Sequence, residues 1–147
     1  MATIRLPPDF KEFLKLLNSN RVEYLLVGGY AVNFYGYSRA TGDLDIWIAK
    51  TPENALRVKE AVRHFGFSQA DAAIFEQPRQ IVRMGVAPIR LEILTSISGV
   101  TFADCYARRV EVELDGTPVN VIHLDDLKRN KEAAGRLKDR LDLEQLS

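Results

Sequence analysis

Carboxylates and apolar side chains alternate along residues 43–48, and this alternation constrains the fold more than any other feature of the chain. Successive side chains of a β-strand point to opposite faces. The three aliphatic residues of this run therefore predict a buried face. Asp43 and Asp45 should stand together on the opposite face, about 6.6 Å apart along the backbone. Because neighbouring anions repel each other, this pair predicts a cation, and oxygen ligands of this type suit Mg²⁺ with substrate phosphates.

A third carboxylate lies in a second alternating run, residues 88–94. The apolar residues of this run should share one face, whereas Arg90 and Glu92 should point the other way. A carboxylate on a predicted inner strand is unusual unless it is paired or binds a metal. If this strand lies beside residues 44–49, Glu92 joins the first two carboxylates. The alternative is that Glu92 pairs with an arginine on an exposed sheet face.

The rest of the chain mixes helical and strand-like patterns. Helices are predicted at about residues 7–20, 30–35, 51–65 and from 123 to the end, with a break at Gly135. Strands are predicted at residues 24–27, 44–49, 74–84, 88–94, 110–114 and 117–122. The last two strands flank Asp115-Gly116, which suits a tight hairpin turn. Because strands and helices do not alternate strictly, we expect an α+β fold, a mixed β-sheet flanked by helices with a C-terminal helical segment.

The length of 147 residues fits one domain with a real hydrophobic core. We therefore expect a single domain over residues 1–147. Its core should cover about residues 22–100, and a C-terminal hairpin and helices should follow over about residues 108–147.

Composition narrows the class of protein. The 20 basic and 20 acidic residues cancel, so the totals do not imply a strongly basic nucleic-acid-binding surface, although a local patch can exist. Cys105 is the single cysteine, which excludes an intrachain disulfide and a thiolate metal cluster. The N-terminal residues lack the apolar stretch of a secretory signal, and no window approaches the ~18 apolar residues that span a bilayer. We expect a cytoplasmic protein without a membrane partner.

Four further residues are candidates for binding phosphates. Gly28 and Gly29 follow the first predicted strand, where they would let the backbone approach a phosphate beside free N–H groups of the next helix. Alone, such a pair is more often a plain turn. Arg39 and Thr41 precede the carboxylates closely enough to reach phosphate oxygens, for which the forked donors of arginine are suited. A surface arginine and a capping threonine are the alternative.

These motifs together resemble the DNA polymerase beta-like nucleotidyltransferase superfamily. The resemblance consists of apolar-Gly-Gly, Asp-Leu-Asp about fourteen residues later, and then apolar-Glu-apolar. Residues 25–32 and 35–45 are closer still to small bacterial nucleotidyltransferases related to abortive-infection (AbiE-type) toxins. Residues 131–139 with 142–143 look like the closing motif of that group, so that the resemblance covers most of residues 24–146.

Two positions of the site depart from the superfamily pattern, and Leu137 of the closing motif stands where Pro is frequent, which matters little. Many members carry Ser at the position of Gly29. This chain therefore lacks a hydroxyl there that could contact phosphate. Glu92 replaces the commoner Asp, and its longer reach could shift a metal ion. Neither departure removes a required type of ligand.

The resemblance implies roles for individual residues. Asp43, Asp45 and Glu92 would form the catalytic site and hold Mg²⁺ (or Mn²⁺) against a nucleoside triphosphate. Two cations about 3.5–4 Å apart could clamp the attacking and leaving oxygens. Lys131 and Arg136 would face the nucleotide, although as helix residues they could equally form surface pairs with neighbouring acids.

The resulting hypothesis is an enzyme that transfers a nucleoside monophosphate from a nucleoside triphosphate, such as ATP, to an acceptor hydroxyl and releases pyrophosphate. The acceptor could be RNA (a tRNA end), a protein or a small molecule. The resemblance also implies the toxin of a toxin–antitoxin pair, with an antitoxin protein as partner. The alternative is a non-catalytic nucleotide-binding or interaction module on the same fold, since residues 93–147 leave little chain for an acceptor-binding region.

Overall fold

Six strands form one mixed sheet in the computed structural model, which describes residues 4–37, 41–67, 71–86 and 89–146. The strands are β1 (Tyr24–Val27), β2 (Asp43–Ile48), β3 (Ile81–Val86), β4 (Ile89–Leu94), β5 (Val110–Leu114) and β6 (Thr117–Val121). Their order across the sheet is β3-β4-β2-β1-β6-β5. The pairs β2–β4 and β1–β6 are parallel, and the other three pairs are antiparallel. The prediction of an α+β fold with a mixed sheet is confirmed.

The helices begin and end largely where capping residues predict. They are α1 (Pro8–Ser19), α2 (Gly28–Phe34), α3 (Pro52–Phe65), α4 (Phe102–Ala107), α5 (Leu124–Ala134) and α6 (Leu137–Gln145). The Thr51 side chain accepts a hydrogen bond from the backbone N–H of Asn54 at the start of α3. Gly66 ends that helix, and Gly135 separates α5 from α6, both in the left-handed conformation. Within the described ranges, no helix is long and apolar enough to cross a membrane.

Apolar faces of the helices and of the sheet form the core. Helix α1 packs against α3 and β6 and buries four side chains at helical spacing, Phe10, Phe13, Leu14 and Leu17. Full burial of such side chains contributes about 1.5–3 kcal/mol each. Strand β1 is buried along its whole length. On β2 the aliphatic residues are buried, and Trp47 packs edge-on against Phe102 of α4 with ring centroids 5.1 Å apart. The polar part of β2 is therefore confined to its first residues.

The hairpin of β5 and β6 confirms the turn predicted from Asp115-Gly116. Both residues have positive φ, 49° at Asp115 and 78° at Gly116, and the register pairs Leu114 with Thr117 on either side of them. Positive φ at both central residues is the geometry of the two-residue turn that matches the twist of antiparallel strands.

The strand predicted over residues 74–84 is wrong in its first half. Residues Ala72–Glu76 form a 3₁₀ turn instead, and strand β3 begins only at Ile81. The Asp71 side chain caps this turn by accepting a hydrogen bond from the backbone N–H of Ala73, 3.1 Å away. Phe75 is fully buried from within the turn. Local capping and burial of one aromatic ring therefore prevail over the strand propensity of this segment.

Candidate functional site

The predicted carboxylates meet because β2 and β4 pair in parallel. The register places Asp45 opposite Glu92 and Asp43 opposite Arg90. Neighbouring strands lie about 4.8 Å apart, and paired residues point to the same face of a sheet. The three acids therefore share one rim of the sheet.

Burial and two neighbouring acids disfavour the charged form of Asp45. Burial, followed by the proximity of Glu92 and then of Asp43, raises the pKa of Asp45 to about 7. Its Oδ1 atom is buried and has no hydrogen-bond partner within the described part of the chain. A buried, uncompensated carboxylate beside two others is costly without a cation. The donor set, three carboxylates, is of the kind that Mg²⁺ prefers.

Two arginines already contact these acids. An Nη2–H of Arg90 donates to Asp43 Oδ2 at 3.1 Å, and the Nε atom of Arg90 lies 3.6 Å from Glu92 Oε1. Arg83 of β3, which pairs with Glu92 in register, donates to the same Oε1 at 3.0 Å. With the side chains as they stand, no three Asp, Glu, His or Cys residues of the described part of the chain are grouped closely enough to hold a metal ion. Glu92 therefore lies beside the acidic pair and also accepts a hydrogen bond from an arginine, so both arrangements considered for it from the sequence occur together.

The glycine pair makes room for the side chains of the site. Gly28 has a φ of +68°, and a Cβ atom added there would overlap Asp45 Oδ2. A Cβ atom on Gly29 would overlap Thr41 Oγ1. The glycines are therefore explained by the close approach of two side chains, a reason that the sequence analysis did not identify.

A cleft of about 560 Å³ brings the acids together with basic residues of the C-terminal helices. Its volume lies within the range of small-molecule sites. The charged residues that line the cleft are Asp43, Asp45, Arg83, Arg90, Glu92, Lys131, Arg136 and Lys138. Because Gly135 turns the chain between α5 and α6, residues from both helices line the cleft that the strand carboxylates open into.

Lys131 and Arg136 are held by buried acids. Lys131 Nζ lies 3.0 Å from Asp139 Oδ1 and 3.1 Å from Asp142 Oδ2, with the lysine side chain only 4% exposed. Arg136 donates from Nε to Asp139 Oδ2 at 2.7 Å, but its side chain is 63% exposed. Burial raises the pKa of Asp139, and hydrogen bonds from Arg136 and Lys131 more than offset this, so that the net shift is downward. Both basic residues therefore line the cleft and form ion pairs.

Several polar residues that line the cleft were not predicted as site residues from the sequence. Lys138 lies in the closing motif and was assigned no role, although its charge partly opposes the rise in the pKa of Asp45. Arg83 could be found only through the register of β3 and β4. Asn130 also lines the cleft and donates from Nδ2 to the carbonyl oxygen of Ser98 at 3.0 Å. Arg39 lies outside the described residues.

Known proteins share this fold and its sequence pattern. A family model described as nucleotidyl transferase of unknown function (DUF2204) matches residues 8–147. A crystal structure from Thermotoga maritima, of a protein provisionally named a nucleotidyltransferase, matches with a TM-score of 0.59 and 16% sequence identity over 92% of this chain and 88% of that chain. At this identity the likeness shows the fold alone. No curated protein matches the sequence. The chain therefore belongs to the family of nucleotidyl transferases of unknown function, DUF2204.

Proposed function

We propose that the protein transfers a nucleoside monophosphate from a nucleoside triphosphate to an acceptor hydroxyl and releases pyrophosphate, with Mg²⁺ or Mn²⁺ as cofactor. Membership of a nucleotidyl transferase family supports the class of reaction. The observation that carries the proposal is the register that sets Asp45 opposite Glu92 with Asp43 on the same rim. ATP is the first donor to test, and RNA, protein and small molecules are the classes of acceptor.

Asp43, Asp45 and Glu92 would hold the divalent cation. Two features support this fit: the buried Oδ1 of Asp45, which has no hydrogen-bond partner among the described residues, and the oxygen-only donor set. When bound, the cation would neutralise phosphate charge and align the reacting oxygens for in-line displacement. The chain itself positions the donors, since β2 and β4 fix the three acids relative to each other.

The nucleotide phosphates would bind between the acidic rim and the basic residues of α5 and α6. Arg136 donates from Nε and Nη2 to the carboxylate of Asp139, which orients its guanidinium. The remaining N–H groups of this exposed side chain would contact a phosphate. Lys131 would contribute positive charge from within the cleft wall, where two carboxylates fix its position. The other proposed nucleotide-binding residues, from the glycine turn and the segment before β2, are Gly28, Gly29, Arg39 and Thr41.

A labelled-nucleotide assay tests the reaction. The protein is incubated with Mg²⁺, each α-³²P nucleoside triphosphate in turn, and the RNA, protein or small-molecule fraction of a cell extract. We expect covalent label in one fraction together with pyrophosphate release, and neither in EDTA. The same triphosphates labelled at the γ-phosphate should leave the acceptor unlabelled, since that phosphate leaves as pyrophosphate. Transfer of γ-label, or no transfer of either label by folded protein, would contradict the proposal.

The contacts of Arg83 and Arg90 with the acids favour a second candidate, a non-catalytic module that binds nucleotide. In such a module the acids would be structural, and the arginines would be their permanent partners. Calorimetry distinguishes the two candidates. Nucleotide binding that persists without Mg²⁺ and survives Asp43→Asn would support the module, whereas dependence on both would support the enzyme.

We further propose that the protein is the cytoplasmic toxin of a toxin–antitoxin pair. The similarity of residues 25–32, 35–45, 131–139 and 142–143 to AbiE-type nucleotidyltransferases supports this role. Induced expression in a bacterial host should arrest growth, and Asp45→Ala should relieve the arrest at equal protein level. A protein encoded beside it should neutralise the toxicity when co-expressed. Normal growth at a level of wild-type protein that is active in the labelled-nucleotide assay would exclude the toxin role.

A further inference from the structure

Arg90 contacts two of the three carboxylates that would bind the cation. It lies opposite Asp43 on the neighbouring strand and two residues before Glu92 on its own strand, so all three side chains share one face. Its Nη2–Asp43 Oδ2 distance is 3.1 Å and its Nε–Glu92 Oε1 distance is 3.6 Å. The exposed fractions of the Arg90, Asp43 and Glu92 side chains are 35%, 34% and 13%. The guanidinium is therefore partly screened from water, which strengthens these contacts over those of a surface pair.

A guanidinium and a divalent cation compete for the same oxygens at this rim. A cation held by the carboxylates of Asp43 and Glu92 would lie close to the charge on Arg90, which contacts both of them. Like charges that close together repel each other, and water screens them incompletely at a partly covered site. Cation binding therefore requires the Arg90 side chain to leave both carboxylates.

The present contacts of Arg90 leave much of its donor capacity unused. Arginine has five N–H donors, and the contact to Glu92 at 3.6 Å is too long for a hydrogen bond. The Nε atom is buried and, within the described residues, has no hydrogen-bond partner. A phosphate group accepts two parallel hydrogen bonds from a guanidinium and is a better match for its fork. Arg90 lines the cleft in which the nucleotide would bind.

We propose that Arg90 is an exchangeable counter-ion that opposes cation binding at the carboxylates and moves onto a phosphate of the bound nucleotide. This inference rests on the proposed function and adds a positioning role for Arg90. The free cation then binds weakly, because it must displace the guanidinium from the two carboxylates that it contacts. Nucleotide supplies another anion for the guanidinium, so that cation and nucleotide strengthen each other's binding, and this coupling is necessarily reciprocal.

Two titrations on the full chain test the exchange. The first measures Mn²⁺ affinity without nucleotide, by calorimetry and by the electron paramagnetic resonance signal of free Mn²⁺. The second measures the affinity of a non-hydrolysable nucleoside triphosphate analogue at saturating Mn²⁺. We expect Arg90→Gln to bind free Mn²⁺ about 3–10-fold more tightly and the analogue about 3–10-fold more weakly, the range for one partly exposed charge contact. A merely structural role for Arg90 would weaken both affinities together.

Three further variants control the result. Arg90→Lys keeps the charge without the fork, so we expect an intermediate change in both affinities and a protein that folds even if Arg90→Gln does not. Arg83→Gln removes one contact to Glu92 and keeps that of Arg90 with Asp43, so its gain in Mn²⁺ affinity should be smaller. Arg63→Gln breaks an exposed pair with Glu60 on α3 and should change neither affinity.

The outcomes separate this inference from the proposed function. If folded wild-type protein binds no Mn²⁺ with or without the analogue, the proposed function fails and the exchange fails with it. If wild-type protein binds both ligands but the Arg90 variants bind Mn²⁺ equally or more weakly, only the exchange is overturned. Tighter Mn²⁺ binding with unchanged analogue affinity would overturn the transfer of Arg90 to phosphate.

Discussion

Asp45→Asn should reduce nucleotide transfer by at least about 100-fold and raise the stability of the protein in EDTA. The loss of activity is expected because removing one group that stabilises developing charge commonly costs 10²–10³ in rate, and Asp45 is the central ligand of the proposed site. The gain in stability is expected because its carboxylate is buried beside Glu92 and Asp43. A substitution that improves stability while removing function is typical of an active site.

The sign of the stability change follows from the pKa of Asp45, which is raised to about 7. A carboxyl group whose pKa is higher in the folded protein destabilises the fold whenever it is charged. At pH 8 the carboxylate is mostly charged, so its neutral isostere should stabilise the fold by about 1–2 kcal/mol, or about 3–6 °C in the unfolding temperature. The similar size of asparagine keeps the approach to Gly28 unchanged.

Thermal unfolding followed by circular dichroism at pH 8 measures this change. Asp9→Asn, at an exposed aspartate in the first turn of α1, is the matched control and should alter the unfolding temperature little. Adding Mg²⁺ should raise the unfolding temperature of the wild-type protein more than that of Asp45→Asn, because the cation binds the folded wild-type site. A variant that is less stable than the wild type in EDTA and keeps its activity would refute the role of Asp45.

Much of the fold was predictable because its signals are local. The alternation in residues 43–48, the Asp115-Gly116 turn and the glycines that end α3 and α5 each act within a few residues. The structure confirms the elements that they predict. Membership of a nucleotidyl transferase family, which the motifs implied, is also confirmed. The division into one domain over residues 1–147 stays a prediction.

What the sequence did not reveal depends on contacts between distant segments. The 3₁₀ turn at Ala72–Glu76 is fixed by one cap and one buried ring, and the six-residue helix α4 is too short for a periodic pattern. The contacts of Arg83 with Glu92 and of Arg90 with Asp43 arise only when β3, β4 and β2 come into register. The roles of the predicted site residues stay predictions. Their convergence on one rim, however, is the condition that those roles required.

The largest stability change should come from Lys131→Met, because Lys131 is the centre of a buried ion-pair cluster. Its Nζ atom lies 3.0 Å from Asp139 Oδ1 and 3.1 Å from Asp142 Oδ2. The side chains of the lysine and of the two aspartates are 4%, 0% and 2% exposed. Removing the lysine takes one positive charge away from two buried carboxylates, with Arg136 still bonded to Asp139, and should cost up to about 3–5 kcal/mol. Methionine fills most of the volume of lysine, so the loss would report charge more than packing.

Urea unfolding followed by circular dichroism measures the loss, and two further variants assign its cause. Lys138→Met removes an exposed lysine from the same cleft and should cost less than about 0.5 kcal/mol. Asp142→Asn in the Lys131→Met background should recover part of the stability, since it removes one of the two buried negative charges that Lys131 contacts. The wild-type protein should also lose stability in acid, because the pKa of Asp139 is lower in the folded protein than its usual value. The carboxylate of Asp139 stabilises the fold fully above about pH 4, and this stabilisation is lost as the pH falls through its lowered pKa. A cost below about 1 kcal/mol for Lys131→Met would mean that the cluster does not hold α5 and α6 together, and that Lys131 is free to act on the nucleotide alone.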